Sequence, residues 1–160
     1  MTEIIFECDA VAVVMNHPKL QLRSFKLRVT CSGIHRHRQV DCAAKICSAL
    51  MPMLSGAEQL ALMQWRRDWA HDSTVTPSAT WHQLLRPFIG AKTLHICRNL
   101  RQVVARALQA DDAGLDPRLL PSLQELVPDT SKGYTNGSFT PFIHTRQIAG
   151  RPVSVRVGSD

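Results

Sequence analysis

The chain has 160 residues, enough for one domain with a sizeable core, and its 44% hydrophobic and 20% charged content is that of an ordinary globular protein. No apolar run approaches the roughly 20 residues that a bilayer span needs, and the opening MTEIIFECDA carries an acid rather than a basic patch, so neither a membrane contact nor a signal peptide is expected. The formal net charge of +6 would suit acidic partners or nucleic acid, but the arginines are scattered along the chain and read as solvated helix and strand faces.

Residues 3–15, EIIFECDAVAVVM, are β-rich, with Asp9 marking a turn between two short strands. Asn16-His17-Pro18 breaks the run. Ser24–Thr30 sets Phe25, Leu27 and Val29 against Lys26, Arg28 and Thr30, the alternation of a half-buried strand. Cys31–Arg38 reads as a polar loop. Val40, Ala43, Ala44, Cys47, Leu50, Met51 and Leu54 then give the stripe of an amphipathic helix, which Pro52 and Ser55-Gly56 end. A strand follows around Leu60–Met63, and Gln64–Pro77 has no period and reads as a loop.

Trp81, Leu84, Leu85 and Phe88 belong to a second helix, with Ser78 or Thr80 as N-cap and Gly90 just past its end. Thr93–Cys97 is a strand. Asn99 is placed to cap a third helix whose apolar stripe is Leu100, Val103, Val104, Ala107 and Leu108. Residues 111–117 are turn-rich, and Leu120–Leu126 leads into another strand. After the loop 131–137, Ser138 is the expected cap of a helix bearing Phe139, Phe142, Ile143 and Ile148, with Pro141 tolerated in its first turn. Gly150 closes that helix, and Pro152–Val157 is the last strand.

A unit recurs through this order. Phe88, Ala91, Leu94, Ile96 and Asn99 have the spacing L-x-x-L-x-x-L-x-L-x-x-N of a leucine-rich-repeat strand. The same frame fits Leu54, Ala57, Leu60 and Leu62, and more loosely Leu120, Leu123 and Leu126 with Pro128. It fits Ala149, Pro152, Val155 and Val157, and a degraded form lies at Leu27 and Val29. Leu27, Leu60, Leu94, Leu126 and Val155 therefore lead five strands spaced 29 to 34 residues apart. One strand and one helix cannot bury their apolar faces alone, whereas stacked neighbours share a continuous core. The expected fold is α/β, a short irregular leucine-rich-repeat-like stack of strand–helix units with an N-terminal β segment, in a single domain over residues 1–160.

Several motifs carry a family resemblance. Trp81, Leu84–Phe88, Lys92–Leu94, Leu119–Pro121, Leu123–Leu126, Phe139, Phe142–Ile143, Arg146–Gln147 and Ala149–Val153 together resemble the C-terminal half of F-box proteins of mushroom-forming fungi, over roughly residues 4–157. The resemblance implies the leucine-rich-repeat-like, substrate-facing region of a ubiquitin-ligase adaptor. The chain carries no recognisable F-box and begins already within the repeat region. It is therefore expected to be either a fragment of a longer product or a truncated paralogue, and contact with a Skp1-type adaptor is expected only if an F-box lies upstream.

In such a stack the leading apolar residues face the helices and alternate residues face outward on the sheet. That places Lys26, Arg28, Thr30, Gln59, Met63, Thr93, His95, Cys97, Glu125 and Arg156 on one face, mixed in polarity and suited to a protein partner. A second candidate is the loop Trp65, Arg66, Arg67 and Trp69, whose interleaved basic and aromatic residues suit stacking on bases and pairing with phosphates. Cys31, His35, His37 and Cys42 have soft ligands for zinc, but their spacing matches no common zinc module, so no metal is expected. There is no G-x-S-x-G, P-loop, G-x-G-x-x-G or H-E-x-x-H, and His95 with Cys97 lacks an orienting third group. The expectation is a non-enzymatic interaction module without cofactor. Cys8, Cys31, Cys42, Cys47 and Cys97 form no C-x-x-C pair, and read as reduced, mostly buried thiols of a cytoplasmic or nuclear protein.

Overall fold

The computed structural model describes residues 1–7, 10–15, 25–30, 36–64, 77–112, 119–129 and 136–156. Runs rich in Ile, Val, Leu and Phe form the strands, because such side chains pack well on a pleated surface. These are β1 (Thr2–Phe6), β2 (Ala10–Met15), β3 (Phe25–Thr30), β4 (Gln59–Gln64), β5 (Thr93–Ile96), β6 (Glu125–Pro128) and β7 (Ser154–Val155). The helices are α1 (Arg36–Ala49), α2 (Met51–Leu54), α3 (Ser78–Leu85), α4 (Arg101–Asp112) and α5 (Thr140–Ile148).

The seven strands among the described residues join one sheet in the order β3-β2-β1-β4-β5-β6-β7. The β1–β2 and β2–β3 pairs are antiparallel, and β1–β4, β4–β5, β5–β6 and β6–β7 are parallel. Parallel neighbours need a crossover, which the helices supply. Beside the sheet α1 packs on α3, α3 on α4 and α4 on α5.

Register fixes which residues meet. Leu60 lies opposite Leu94, Leu94 opposite Leu126 and Leu126 opposite Val155. One step on, Ile4, Leu62, Ile96 and Pro128 form the next row. These rows face the helices and meet Val40, Ala44, Cys47, Trp81, Leu84, Phe88, Leu100, Val104, Leu108 and Phe142 in one continuous core. Trp81 meets Phe6 edge to face, with centroids 6.0 Å apart.

The main chain repeats the same contact from strand to strand. The Glu58 carbonyl accepts from the Lys92 and Thr93 amides at 2.7 and 3.1 Å, the Lys92 carbonyl from Gln124 and Glu125 at 2.8 and 3.0 Å, and the Gln124 carbonyl from Ser154 at 2.8 Å. At the opposite strand ends the Leu62, Ile96 and Leu126 carbonyls accept from Cys97, Asp129 and Arg156 at 3.0, 2.9 and 2.9 Å. These rungs satisfy backbone groups where the chain leaves the sheet, which unpaired would cost free energy comparable to a lost hydrogen bond.

Four expectations need correction. Leu27 pairs with Val13 in an antiparallel ladder, so it does not belong to the parallel series; Thr2, opposite Leu60, holds the equivalent place. The period-2 pattern of β3 is the same in either strand direction, which is why sequence placed it wrongly. Asn99 is not the cap of the third helix: Cys97 stands at the N-cap of a 3-10 turn, Arg98–Leu100, and α4 starts after it. Ser78 and Thr80 lie inside α3 behind Pro77, and Ser138 lies in a 3-10 turn before the N-cap Phe139, with no side-chain cap bond at either helix. Gly90 lies beyond the end of α3 and has another purpose: a Cβ there would stand 2.5 Å from the Ser55 carbonyl oxygen. By contrast Gly150, at φ +71°, does close α5, a left-handed position that glycine adopts without steric cost.

Polar side chains tie the helices to the rest of the fold. Gln39 on α1, fully buried, donates from Nε2 to the Glu7 carbonyl at 2.7 Å just past β1. His82 on α3 meets the Ala107 carbonyl of α4 through Nε2 at 2.8 Å. Arg146 on α5 is buried, donates to the Leu119 and Leu120 carbonyls at 2.6 and 3.2 Å, and lies 5.2 Å over the Phe142 ring. Leu120 has φ 49°, so the guanidinium holds a turn with a backbone conformation that leucine rarely adopts.

Candidate functional site

The face of the sheet away from the helices collects the residues singled out by alternation. Its first row is Gln59, Thr93, Glu125 and Ser154. Its second is Lys26, Val14, Glu3, Ala61, His95 and Val127. In its third, Arg28, Ala12, Ile5 and Met63 stand in register, whereas Cys97, expected on this face, belongs to the buried core cluster with Leu100 and Val104, because the chain turns into the 3-10 segment directly after β5. Thr30 lies opposite Ala10. One sheet therefore brings Gln59, Met63, Thr93, His95 and Glu125 onto one face, and Arg156, just past β7, reaches it through Glu125. Lys26, Arg28 and Thr30 are placed by backbone register, and their side chains lie outside the described residues.

The face is unevenly open. Ala12 and Ala61 are 0% and 1% exposed, and Ile5 is buried, whereas Met63 is 38% exposed and Gln59 and Ser154 are exposed. Thr93, His95, Glu125 and Val127 are half-buried. Among the described side chains of this face, the exposed ones are Gln59, Met63 and Ser154, on β4 and β7. Cys97 is only 7% exposed and offers little contact area.

Charge on this part of the face is paired. Arg156 Nε lies 3.0 Å from Glu125 Oε1, and Thr93 Oγ1 donates to Glu125 Oε2 at 3.5 Å. At the rim Lys92 Nζ meets Glu58 Oε1 at 2.7 Å. Such exposed pairs contribute about 0–1 kcal/mol each, so they orient side chains more than they stabilise the fold. Burial, and then the Arg156 guanidinium, push the His95 pKa below the ordinary histidine value; Glu125 and Glu3 pull the other way. His95 is thus biased toward neutral imidazole, able to donate at one ring nitrogen and accept at the other.

Glu3 was missed by sequence reasoning. Alternation within β1 shows which side it takes, but only the non-local β1–β4 pairing brings it into the His95 row.

Trp65, Arg66, Arg67 and Trp69 lie outside the described residues, as do Cys31 and His35. His37 and Cys42 are on α1, and among the described residues no group of three His, Cys, Asp or Glu is placed to hold a metal ion. Burial raises the Cys97 thiol above its usual pKa and pushes Cys47 up to about 12, opposite to the activation that a nucleophilic thiolate requires. No helix among the described residues is long and apolar enough to cross a membrane. Scans against protein-family models, curated proteins and solved structures each return no match.

Proposed function

We propose that the chain is a non-enzymatic protein-recognition module, and that its helix-free sheet face is the docking surface. On this reading the fold is a short, irregular leucine-rich-repeat-like stack, similar to the substrate-facing region of fungal F-box adaptors. The observation that carries the proposal is the register of β4 to β7, which lines up Gln59, Thr93, Glu125 and Ser154 beside His95, Met63 and the Arg156–Glu125 pair. The repeated rungs from Glu58, Lys92 and Gln124 support the stack, because each unit satisfies its neighbour in the same way. A face of mixed donors, acceptors, one ion pair and an exposed methionine suits a protein surface.

The test is affinity purification of residues 1–160 with and without nuclease, at several salt concentrations, alongside an Arg28→Glu plus His95→Glu variant. A stoichiometric partner that resists nuclease and moderate salt, and that the folded variant loses, supports the reading. Phosphate-dominated binding instead weakens steeply with salt. Recovery that vanishes with nuclease would replace this reading with a nucleic-acid-binding module.

A further inference from the structure

The rim where the chain enters its parallel strands carries an apolar row. Met53, Ile89 and Ile148 are 60%, 52% and 75% exposed, and Met51 is exposed beside them. Met51 and Met53 lie on α2 ahead of β4, Ile89 follows α3 ahead of β5, and Ile148 ends α5 ahead of β7. Parallel pairing from β4 to β7 sets these strand starts on one edge of the sheet. The Gly90 amide donates to the Ser55 carbonyl at 3.1 Å, so the turn bearing Ile89 lies against the end of α2. Apart from Met1 and Met63, these four are the large apolar side chains exposed among the described residues. Single exposed hydrophobics are ordinary, whereas a group of them on one rim marks a contact surface.

Length, side-chain type and charge narrow the occupant. Neighbouring strands lie about 4.8 Å apart, so the row from β4 to β7 spans roughly 14 Å. An α-helix covers that distance in about 10 residues, and its i, i+3, i+7 stripe matches one row of apolar side chains. Methionine suits such a contact, being flexible and polarizable. Arg86 and Arg151 are exposed at the same rim, and among the described residues neither forms an ion pair. Lys92, nearby, is balanced by Glu58. Carboxylates beside the incoming stripe therefore complement this rim, and the net charge of +6 attracts them over longer range. A second copy, docked about a two-fold axis, would bring the same cations together. A lipid-seeking surface commonly carries Trp or Phe, and the exposed apolar row has neither.

We propose that this rim docks an amphipathic helix of a partner protein, with its apolar stripe on Met51, Met53, Ile89 and Ile148 and its acidic flank toward Arg86 and Arg151. This goes beyond the sheet-face reading, because none of these residues belongs to the rows of His95, Glu125 and Arg156.

The probe is an end-capped peptide of about 14 residues, with leucine at i, i+3, i+4 and i+7 and glutamate and alanine elsewhere. It is titrated into isotope-labelled chain and followed by amide shifts. The expected shifts are confined to residues 50–55, 86–92 and 146–151. Binding should weaken by about tenfold or more in Ile89→Glu plus Ile148→Glu, and again in Arg86→Glu plus Arg151→Glu. Exposed substitutions usually leave stability nearly unchanged, and circular dichroism checks each variant. A peptide with lysine in place of glutamate should bind the wild-type chain more weakly and the arginine-reversed variant more tightly. The wild-type half of that comparison stands even if a variant fails to fold. Equal binding of the two peptides, or no shift at the rim, overturns the proposal. So does concentration-dependent self-association through Ile89 and Ile148, or capture by anionic vesicles without peptide binding. Shifts that map instead to His95 and Arg156 overturn it while leaving the sheet-face reading standing.

Discussion

Two buried cysteines and a half-buried histidine show how placement sets chemistry at the scale of single residues. The Cys47 thiol, in the core between α1 and the sheet, is held near 12 by loss of solvation, and Cys97 is raised as well. Both should stay unlabelled by a thiol-specific reagent in native protein and react on unfolding, as mass mapping would reveal; fast native labelling of Cys47 would contradict its burial. His95 is lowered, so the unfolded chain takes up this proton first as pH falls. Its contribution to stability is full above the unfolded value, near 6.5, and erodes as pH drops toward the lower folded value. The urea midpoint of the wild-type chain should therefore fall between pH 7 and pH 5 by more than that of His95→Gln. Identical pH slopes would show that His95 is not desolvated as described. The burial of the two thiols was legible in the sequence, but the setting of His95 was not: alternation gave it a side of the sheet, but not the Arg156, Glu125 and Glu3 charges around it.

Repeated backbone contact is what holds the elements in phase. The turn after Phe88 lies against the turn after Leu54, where the Gly90 amide donates to the Ser55 carbonyl at 3.1 Å and no room is left for a Cβ. Gly90→Ala is expected to destabilise by roughly 1–3 kcal/mol through displaced backbone, read as a lower melting temperature; an unchanged melting temperature would mean the turns are not in contact. Leu94 sits mid-row between Leu60 and Leu126 and has no exposure. Leu94→Ala should cost about 2–5 kcal/mol in chemical denaturation. The strand positions of this ladder were readable in the sequence, since Leu60, Leu94, Leu126 and Val155 keep a fixed frame to their helices. The helix starts were not. Ser78, Asn99 and Ser138 have cap chemistry, but none caps its helix: the chain instead enters through Pro77, Cys97 and Phe139. The anchoring roles of Gln39, His82 and Arg146 were not legible either. Each bonds to a backbone carbonyl distant in sequence, which no local pattern encodes.

For the whole molecule, one sheet with helices packed against it divides the chain into a dense core and an outward face. The parallel half, β4 to β7, carries the accessible polar row. The antiparallel half, β1 to β3, adds Glu3 to that face. Sequence period sufficed for the parallel half, because there each strand neighbours the next in order. It failed where β1, first in the chain, sits in the middle of the sheet beside β4. On the proposed reading, β5 to β7 present a protein-docking surface through His95 and the Arg156–Glu125 pair. The most direct test is recovery of a nuclease-resistant partner by wild-type chain and by a His95→Glu plus Arg156→Glu variant, with circular dichroism and melting temperature confirming the variant's fold. The account predicts that the folded variant loses the partner by at least about tenfold, as expected when central contacts of an interface are reversed. A folded variant that retains the partner at wild-type level would contradict it.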